Sequence, residues 1–206
     1  VAEREHLDEI EELHNCFGFP AIVKPRGEGS SVGLTKAHDR SELRAGIELA
    51  LDPSSDDPAA LRAAALAVRA LLDELGLPSF VKTSGSKGFH VVVPLEEDGG
   101  AADAERSWRL GLGAGRVLVK RHPELLTQEF IKADRGGRIF VDTGRNVPGA
   151  TFAAVYAVRA RPGAPVSAPC TWAEVEAGAV GPRTFSLRTM AARLAAARRD
   201  DAALEK

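Results

Sequence analysis

The stretch FVKTSGSKGFHVVVPL, residues 80–95, sets two apolar runs on either side of a Ser-Gly-Ser-Lys-Gly turn. Runs rich in Val and Phe joined through a short Gly-containing loop read as an antiparallel strand-turn-strand unit. The chemistry of the turn is open at this level. Lys82 and Lys87 are point charges able to meet phosphate oxygens, and Ser84, Ser86 and the glycine-flanked amides are donors for an anion. His90 begins the second strand. An exposed basic hairpin with one partly packed imidazole accounts for the same residues, and the GxxxxGK[ST] spacing of a P-loop is absent.

Outward from this unit the pattern alternates between helical and extended segments. Upstream, residues 58–75 carry helix formers with Leu61, Ala65, Val68 and Leu72 on one face, and Gly76 ends the run. Downstream, residues 101–112 read as a helix broken around Gly111, Gly113 and Gly115 and resuming over 117–121. RIFVDT, residues 138–143, reads as a strand with Asp142 near its end. Residues 153–161 read as a further strand, placing Arg159 and Arg161 on one face. Residues 171–177 and 188–199 read as short helices, and Trp108 and Trp172 as packing residues. The expectation is an α+β fold with a split β-α-β-β-α-β unit between residues 47 and 143.

Charge is distributed unevenly. The net formal charge is only -2, yet residues 106–161 hold eleven Lys/Arg against four Asp/Glu, while residues 1–57 hold six against thirteen. A polyanion is therefore attracted to one part of the chain alone. The two cysteines, Cys16 and Cys170, lie in no CxxC or zinc-like spacing, which points to reduced thiols and a cytoplasmic location. No apolar run approaches the roughly 18 residues of a membrane span.

Carboxylates supply the second chemistry. Asp142 at a strand end can hold a hard cation or cap backbone amides. In GIELALDP, residues 46–53, Glu48 and Asp52 share one side whether the segment is extended or helical. A Gly/Ser loop, RGEGSSVG at 26–33, follows Lys24 and suits either a triphosphate cover or a plain hairpin.

From about residue 51 to 194 the chain resembles the later part of the polymerase domain of bacterial ATP-dependent DNA ligase D, in the archaeal-eukaryotic primase superfamily. The resemblance rests on the stretch from LDPSSDDP through FVKTSGSKGFHVVVPL, on VLVKRHPELLTQEFIKADRGGRIFVDTGRN, and on ATFAAVYAVRARPGAPVSAPCTWAEVEAGAVGPRTFSLRTMAARL. It implies an incomplete primase-like core of the RRM/ferredoxin type with an N-terminal α/β appendage. The resemblance further implies Asp52 and Asp142 as converging catalytic ligands for Mg2+ or Mn2+. Ser84, Lys87 and His90 would be the triphosphate-binding turn, and Arg159 and Arg161 nucleotide or phosphate contacts. The implied reaction is in-line attack of a primer 3'-hydroxyl on the α-phosphate of an NTP or dNTP. The implied partners are DNA ends or primer-template DNA, a ligase and end-binding repair proteins. The family's first metal-binding Asp corresponds to Ala50 here, which implies nucleotide binding without extension.

Residues 17–51, FGFPAIVKPRGEGSSVGLTKAHDRSELRAGIELAL, instead resemble the ATP-binding segment of D-alanine-D-alanine ligases, of the ATP-grasp superfamily. That resemblance implies ATP phosphate contacts by Lys24, Ser30, Ser31 and Gly33. The expected division is thus an ATP-grasp-like fragment over 1–50 and a primase-polymerase-like domain over 51–206. An ATP-grasp ligase and a non-catalytic DNA-binding or scaffold module stand as alternatives.

Overall fold

The computed structural model describes residues 46–54, 56–94, 101–147 and 150–204. Lys24, Ser30, Ser31 and Gly33 lie outside them. Strand β1 (Gly46–Asp52) leads through helix α1 (Pro58–Glu74) to β2 (Phe80–Thr83) and β3 (Phe89–Pro94). Helix α2 (Ala101–Arg121), β4 (Leu126–Thr127), β5 (Ile139–Asp142), β6 (Pro169–Cys170), α3 (Trp172–Glu176) and α4 (Leu187–Leu204) follow. The strands form one six-stranded sheet in the order β4-β5-β1-β3-β2-β6. Its neighbours are antiparallel except the parallel β4/β5 pair. This is a mixed α+β fold.

Alternation along the central strands divides the sheet into two faces. Ile47, Leu49 and Leu51 of β1, Val91 and Val93 of β3, Val81 of β2 and Ile139 and Val141 of β5 are all buried in one core. Helix α1 closes over it. The Asp57 carboxylate accepts from the amides of Ala59 and Ala60 at 2.9 and 3.0 Å, and Pro58 follows at the first helical position. Leu61, Ala64, Ala65, Val68, Leu71 and Leu72 then fall at helical spacing on the buried face. Gly76, with φ +68, takes the left-handed conformation that ends the helix.

The glycines of α2 play a different part from the one their sequence suggests. The helix is continuous from Ala101 to Arg121. Gly111 and Gly115 mark close approach: a Cβ at Gly111 would meet Asn146 Nδ2 at 2.7 Å, and one at Gly115 would overlap the Gln128 amide. Glycine therefore lets α2 sit down on the loop after β5, and packing outweighs its low helix propensity. The strand expected over 153–161 is also absent. Tyr156 has φ +66, and the segment makes only an isolated bridge, Val158 to Val166. Arg159 and Arg161 consequently lie on an irregular connection and not on a strand face. Trp108, expected to pack, is 39 % exposed, whereas Trp172 donates to the Ser79 carbonyl and lies beneath Arg69. Of the described helices, none is long and apolar enough to cross a membrane.

Candidate functional site

The second face of the sheet carries the polar residues, and strand register arranges them in a line. Ala50 pairs with Asp142 of β5 on one side and with His90 of β3 on the other. His90 in turn pairs with Lys82 of β2, which pairs with Pro169 of β6. Cross-strand partners point to the same face, so Asp142, Ala50, His90 and Lys82 form one row across four strands. Glu48 lies two residues before Ala50 on that face, and Asp52 two residues after it.

Each of these side chains has a definite set of partners. Glu48 is 2 % exposed, and its Oε1 accepts a hydrogen bond from His90 Nδ1, while its Oε2 is buried without a partner. The Glu48 backbone is held at both ends by Asn146. The Asn146 side chain accepts from the Glu48 amide at 2.7 Å and donates to its carbonyl at 2.9 Å. Strand β5 ends at Asp142, so this buried amide continues the ladder for β1 where the strand no longer can.

Lys82 is not the free phosphate-seeking charge that its place beside the turn suggests. It is 3 % exposed, and its ammonium donates to the Ala153 carbonyl at 2.7 Å and to Ser167 Oγ at 3.0 Å. Burial pushes its pKa down to about 8, against the pull of Glu48 and with a further push from Arg159. Ser84 has likewise been drawn inward: its hydroxyl oxygen accepts from the Ser86 and Gly88 amides, each at 3.1 Å. Those two amides serve the turn itself. Gly88 permits the turn to touch β1, because a Cβ there would overlap the Leu51 carbonyl.

Around this turn the structure gathers cations. Gly85, at φ +64, leaves room for the Arg159 stem, which a Cβ would meet at 2.6 Å. Arg183 donates through Nε to the Ser86 carbonyl at 2.7 Å, and Lys87 is exposed at the tip. Burial, followed by the charge of Arg161, lowers the pKa of Arg159, as crowded like charges must. Arg183 was not among the sequence candidates, because its link to the turn spans 97 residues.

The two aspartates are separated by register. Asp142 faces Ala50, whereas Asp52 faces Phe140. Asp142 Oδ1 accepts from the Gly144 amide at 2.9 Å, and Arg145 stands 3.9 Å from its other oxygen. Asp52 Oδ2 receives Arg135 Nη1 at 2.9 Å, and the buried Arg135 also donates to the Glu129 and Phe130 carbonyls and packs over Phe140. Beside Asp142 an open cleft of about 540 Å³ is lined by Arg116, Gln128, Phe130 and Arg145. Among the described residues, no three His, Cys, Asp or Glu side chains come close enough to share a metal ion. A paired-cation centre of three carboxylates therefore does not fit this face: one position is a methyl group and one aspartate is already neutralised by arginine.

The comparisons bear on the fold and the family. The sequence matches the family described as "LigD, primase-polymerase domain" over residues 34–202. It also matches "D-ala D-ala ligase C-terminus" over residues 2–57. Among curated relatives, the multifunctional non-homologous end joining protein LigD of Pseudomonas aeruginosa is 37 % identical over 193 residues, covering 86 % of this chain and 22 % of its own. The Mycobacterium tuberculosis protein of that kind is 38 % identical over 118 residues, covering 57 % of this chain and 15 % of its own. The D-alanine–D-alanine ligase of Clostridium acetobutylicum is 52 % identical over 42 residues, or 20 % of this chain and 12 % of its own. In structure, the polymerase domain from Mycobacterium tuberculosis ligase D, solved in complex with DNA, superposes with a TM-score of 0.66 at 33 % identity. That match covers 84 % of this chain and 56 % of the solved one. The chain thus spans under a quarter of those LigD relatives and about half of the solved polymerase domain. A match running through 169 residues and every described strand makes this chain a member of the LigD primase-polymerase domain family.

Proposed function

We propose that this chain is a nucleotide- and DNA-end-binding module of the primase-polymerase type that does not extend DNA. Two features support the binding half. The turn at residues 84–88 is ringed by Lys87, Arg159 and Arg183, with Arg161 beside Arg159, and a triphosphate or DNA backbone is the anion such a cluster suits. The DNA in the solved relative points to the same class of partner. His90 completes the turn's set, and Arg145 and Arg116 extend positive charge along the cleft beside Asp142.

The observation that carries the non-extending half is the register of Ala50 against Asp142 and His90. In-line nucleotidyl transfer needs divalent cations held by several carboxylates between the attacking oxygen and the phosphate. Here Asp142 faces a methyl group, and Asp52 is bound to Arg135. On this reading the sheet order β5-β1-β3-β2 is the RRM/ferredoxin-like core of the primase superfamily. On the same reading residues 1–50 are an ATP-grasp-like fragment and residues 51–206 the primase-polymerase-like domain, a boundary that β1 (Gly46–Asp52) runs across. The setting is DNA end joining, with a ligase and end-binding proteins as partners, in the cytoplasm.

The test uses a gapped or 3'-overhang DNA with labelled nucleotides and Mg2+ or Mn2+. We expect NTP binding and salt-sensitive DNA binding by the wild-type chain without incorporation. Incorporation that disappears in Asp142→Ala would sink the non-extending reading. Absence of both nucleotide and DNA binding would sink the module itself. Incorporation gained by Ala50→Asp identifies position 50 as the place of the missing ligand.

A further inference from the structure

We propose that the outward face of helix α2 is a track for the sugar-phosphate backbone of duplex DNA, carried by Arg106, Arg109, Arg116 and Lys120 and leading away from the cleft beside Asp142. This path rests on the DNA-binding half of the proposed function, and it uses no residue of the turn or of the polar row. The four cations are spaced by three, seven and four residues on one continuous helix from Ala101 to Arg121. At 3.6 residues per turn they fall within about 80° of arc. All four are exposed, whereas Ser107, Ala114 and Leu118 on the inner side of the helix are buried.

A solvated helix face ordinarily interleaves the two signs of charge at i,i+4 spacing. From Arg106 to Lys120 the sequence holds no Asp or Glu, although the chain as a whole carries a formal charge of -2. The stripe is therefore a local feature and not the by-product of a basic protein. The carboxylates beside it already have partners. Glu105, at its border, meets Arg109 at 2.6 Å in an exposed pair that a phosphate oxygen replaces at little cost. Glu74 of α1 is taken at 2.8 Å by Arg121, which lies outside the stripe.

The glycines of α2 fix where the stripe lies and what can approach it. Gly111 and Gly115 let the helix press against Asn146 and Gln128, and Gln128 lines the same cleft as Arg116, so the stripe passes the mouth of the cleft in a set position. Gly113 has the opposite surroundings. It is exposed in the middle of the stripe, and a Cβ there would meet nothing within 4 Å, so packing does not require a residue of such low helix propensity. The bare backbone at that point lets an extended ligand come close to the helix between the cations. Arg106 and Lys120 stand about 21 Å apart along the axis, the rise of about six base pairs. Three of the four cations are arginines, whose paired N–H donors match phosphate oxygens. A row of charges of this length suits a regularly charged backbone and not a single phosphate group.

DNA binding by the full chain, measured against duplex length and salt beside a separate NTP titration, tests the track. A 3'-overhang carrying about 16 base pairs of duplex should bind roughly tenfold more tightly than the same overhang carrying about 4. Arg109→Gln/Lys120→Gln should lose that gain and flatten the slope of log K against log salt by about 2, with NTP binding unchanged. Gly113→Glu, placed in open space and therefore free of overpacking, should lose the gain as well. Arg62→Gln/Arg188→Gln, an equal loss of charge on α1 and α4, should keep it. A gain that survives in Arg109→Gln/Lys120→Gln, or that the α1/α4 control loses equally, overturns the track and leaves the proposed function standing. Binding of no DNA at any length by the wild-type chain overturns both. Polyglutamate bound through Arg109 and Lys120 where duplex DNA is not would assign the face to an acidic protein segment and overturn the track too. Circular dichroism checks that each variant is folded.

Discussion

Strand β1 contributes to two very different surfaces with alternate residues. Ile47, Leu49 and Leu51 enter a core closed by α1 and α2, while Glu48, Ala50 and Asp52 face a polar row. On the first face each residue is interchangeable in kind, since any branched apolar side chain of similar volume fills the space. On the second, each side chain has a particular partner: His90 for Glu48 and Arg135 for Asp52. The apolar face thus holds the sheet together, and the polar face determines what the sheet can bind.

The sharpest way to break this comparison is to truncate the core. Leu49 is fully buried, and Leu49→Ala is expected to cost about 2–5 kcal/mol through lost burial and the cavity left behind. Urea unfolding with an unchanged slope checks this, and a loss below about 1 kcal/mol would show that β1 is not central to the core. Arg135→Met comes next. It removes donors from the Glu129 and Phe130 carbonyls and from Asp52, yet Asp52 is 40 % exposed and water can take over its solvation. We therefore expect about 2 kcal/mol, less than for a fully buried ion pair. The same measurement checks it, and a loss as large as that of Leu49→Ala would mean that the polar face also carries the fold.

These two faces differ in how far the sequence discloses them. Helix α1 was legible because its cap, apolar face and terminating glycine all agree, and β2 and β3 were legible from their apolar runs around a glycine turn. The alternation of Glu48, Ala50 and Asp52 was legible as well. What the sequence could not disclose are contacts between distant residues. Asn146 reaches Glu48 across 98 residues, and Arg135 reaches Asp52 across 83. Either residue on its own looks like an ordinary turn residue. Glycine misled in α2 for a related reason, since Gly111 and Gly115 answer to Asn146 and Gln128 and not to helix ends. Positive φ at Tyr156 had no signal either, as tyrosine gives no warning of a left-handed turn.

Titration offers a smaller effect that isolates the polar face. Lys82 has its pKa lowered from 10.5 to about 8 by burial, so between these values the unfolded chain binds more protons than the folded one. Stability must then rise with pH across that window. The Cys170 thiol, raised by burial to about 12, acts in the opposite sense once pH passes its ordinary value of 9. The clean interval is therefore pH 8 to 9, where Lys82 contributes about 1 kcal/mol of gain. Comparing wild type with Lys82→Met cancels the cysteine. The variant should lose the rise over that interval, and an identical pH dependence in both chains would show that the Lys82 ammonium is not desolvated.

The smallest stability effect should come from the residue at the centre of the row. Ala50 is neighbour to Leu49 in sequence, but it lies half-buried on the open face, where an introduced carboxylate remains near water. Its flanking residues are His90, whose Nδ1 is held by Glu48, and Asp142, which already has Arg145 and the Gly144 amide near it. Ala50→Asp adds like-charge repulsion with Asp142 and gains attraction to the Arg145 side, two contributions that largely offset one another in a solvated site. We expect a change below about 1 kcal/mol in the unfolding free energy, within reach of paired urea titrations. A destabilisation comparable with that of Leu49→Ala, one residue away, would mean that the row is closed to solvent and that the polar side of the sheet is a second core, not a binding face.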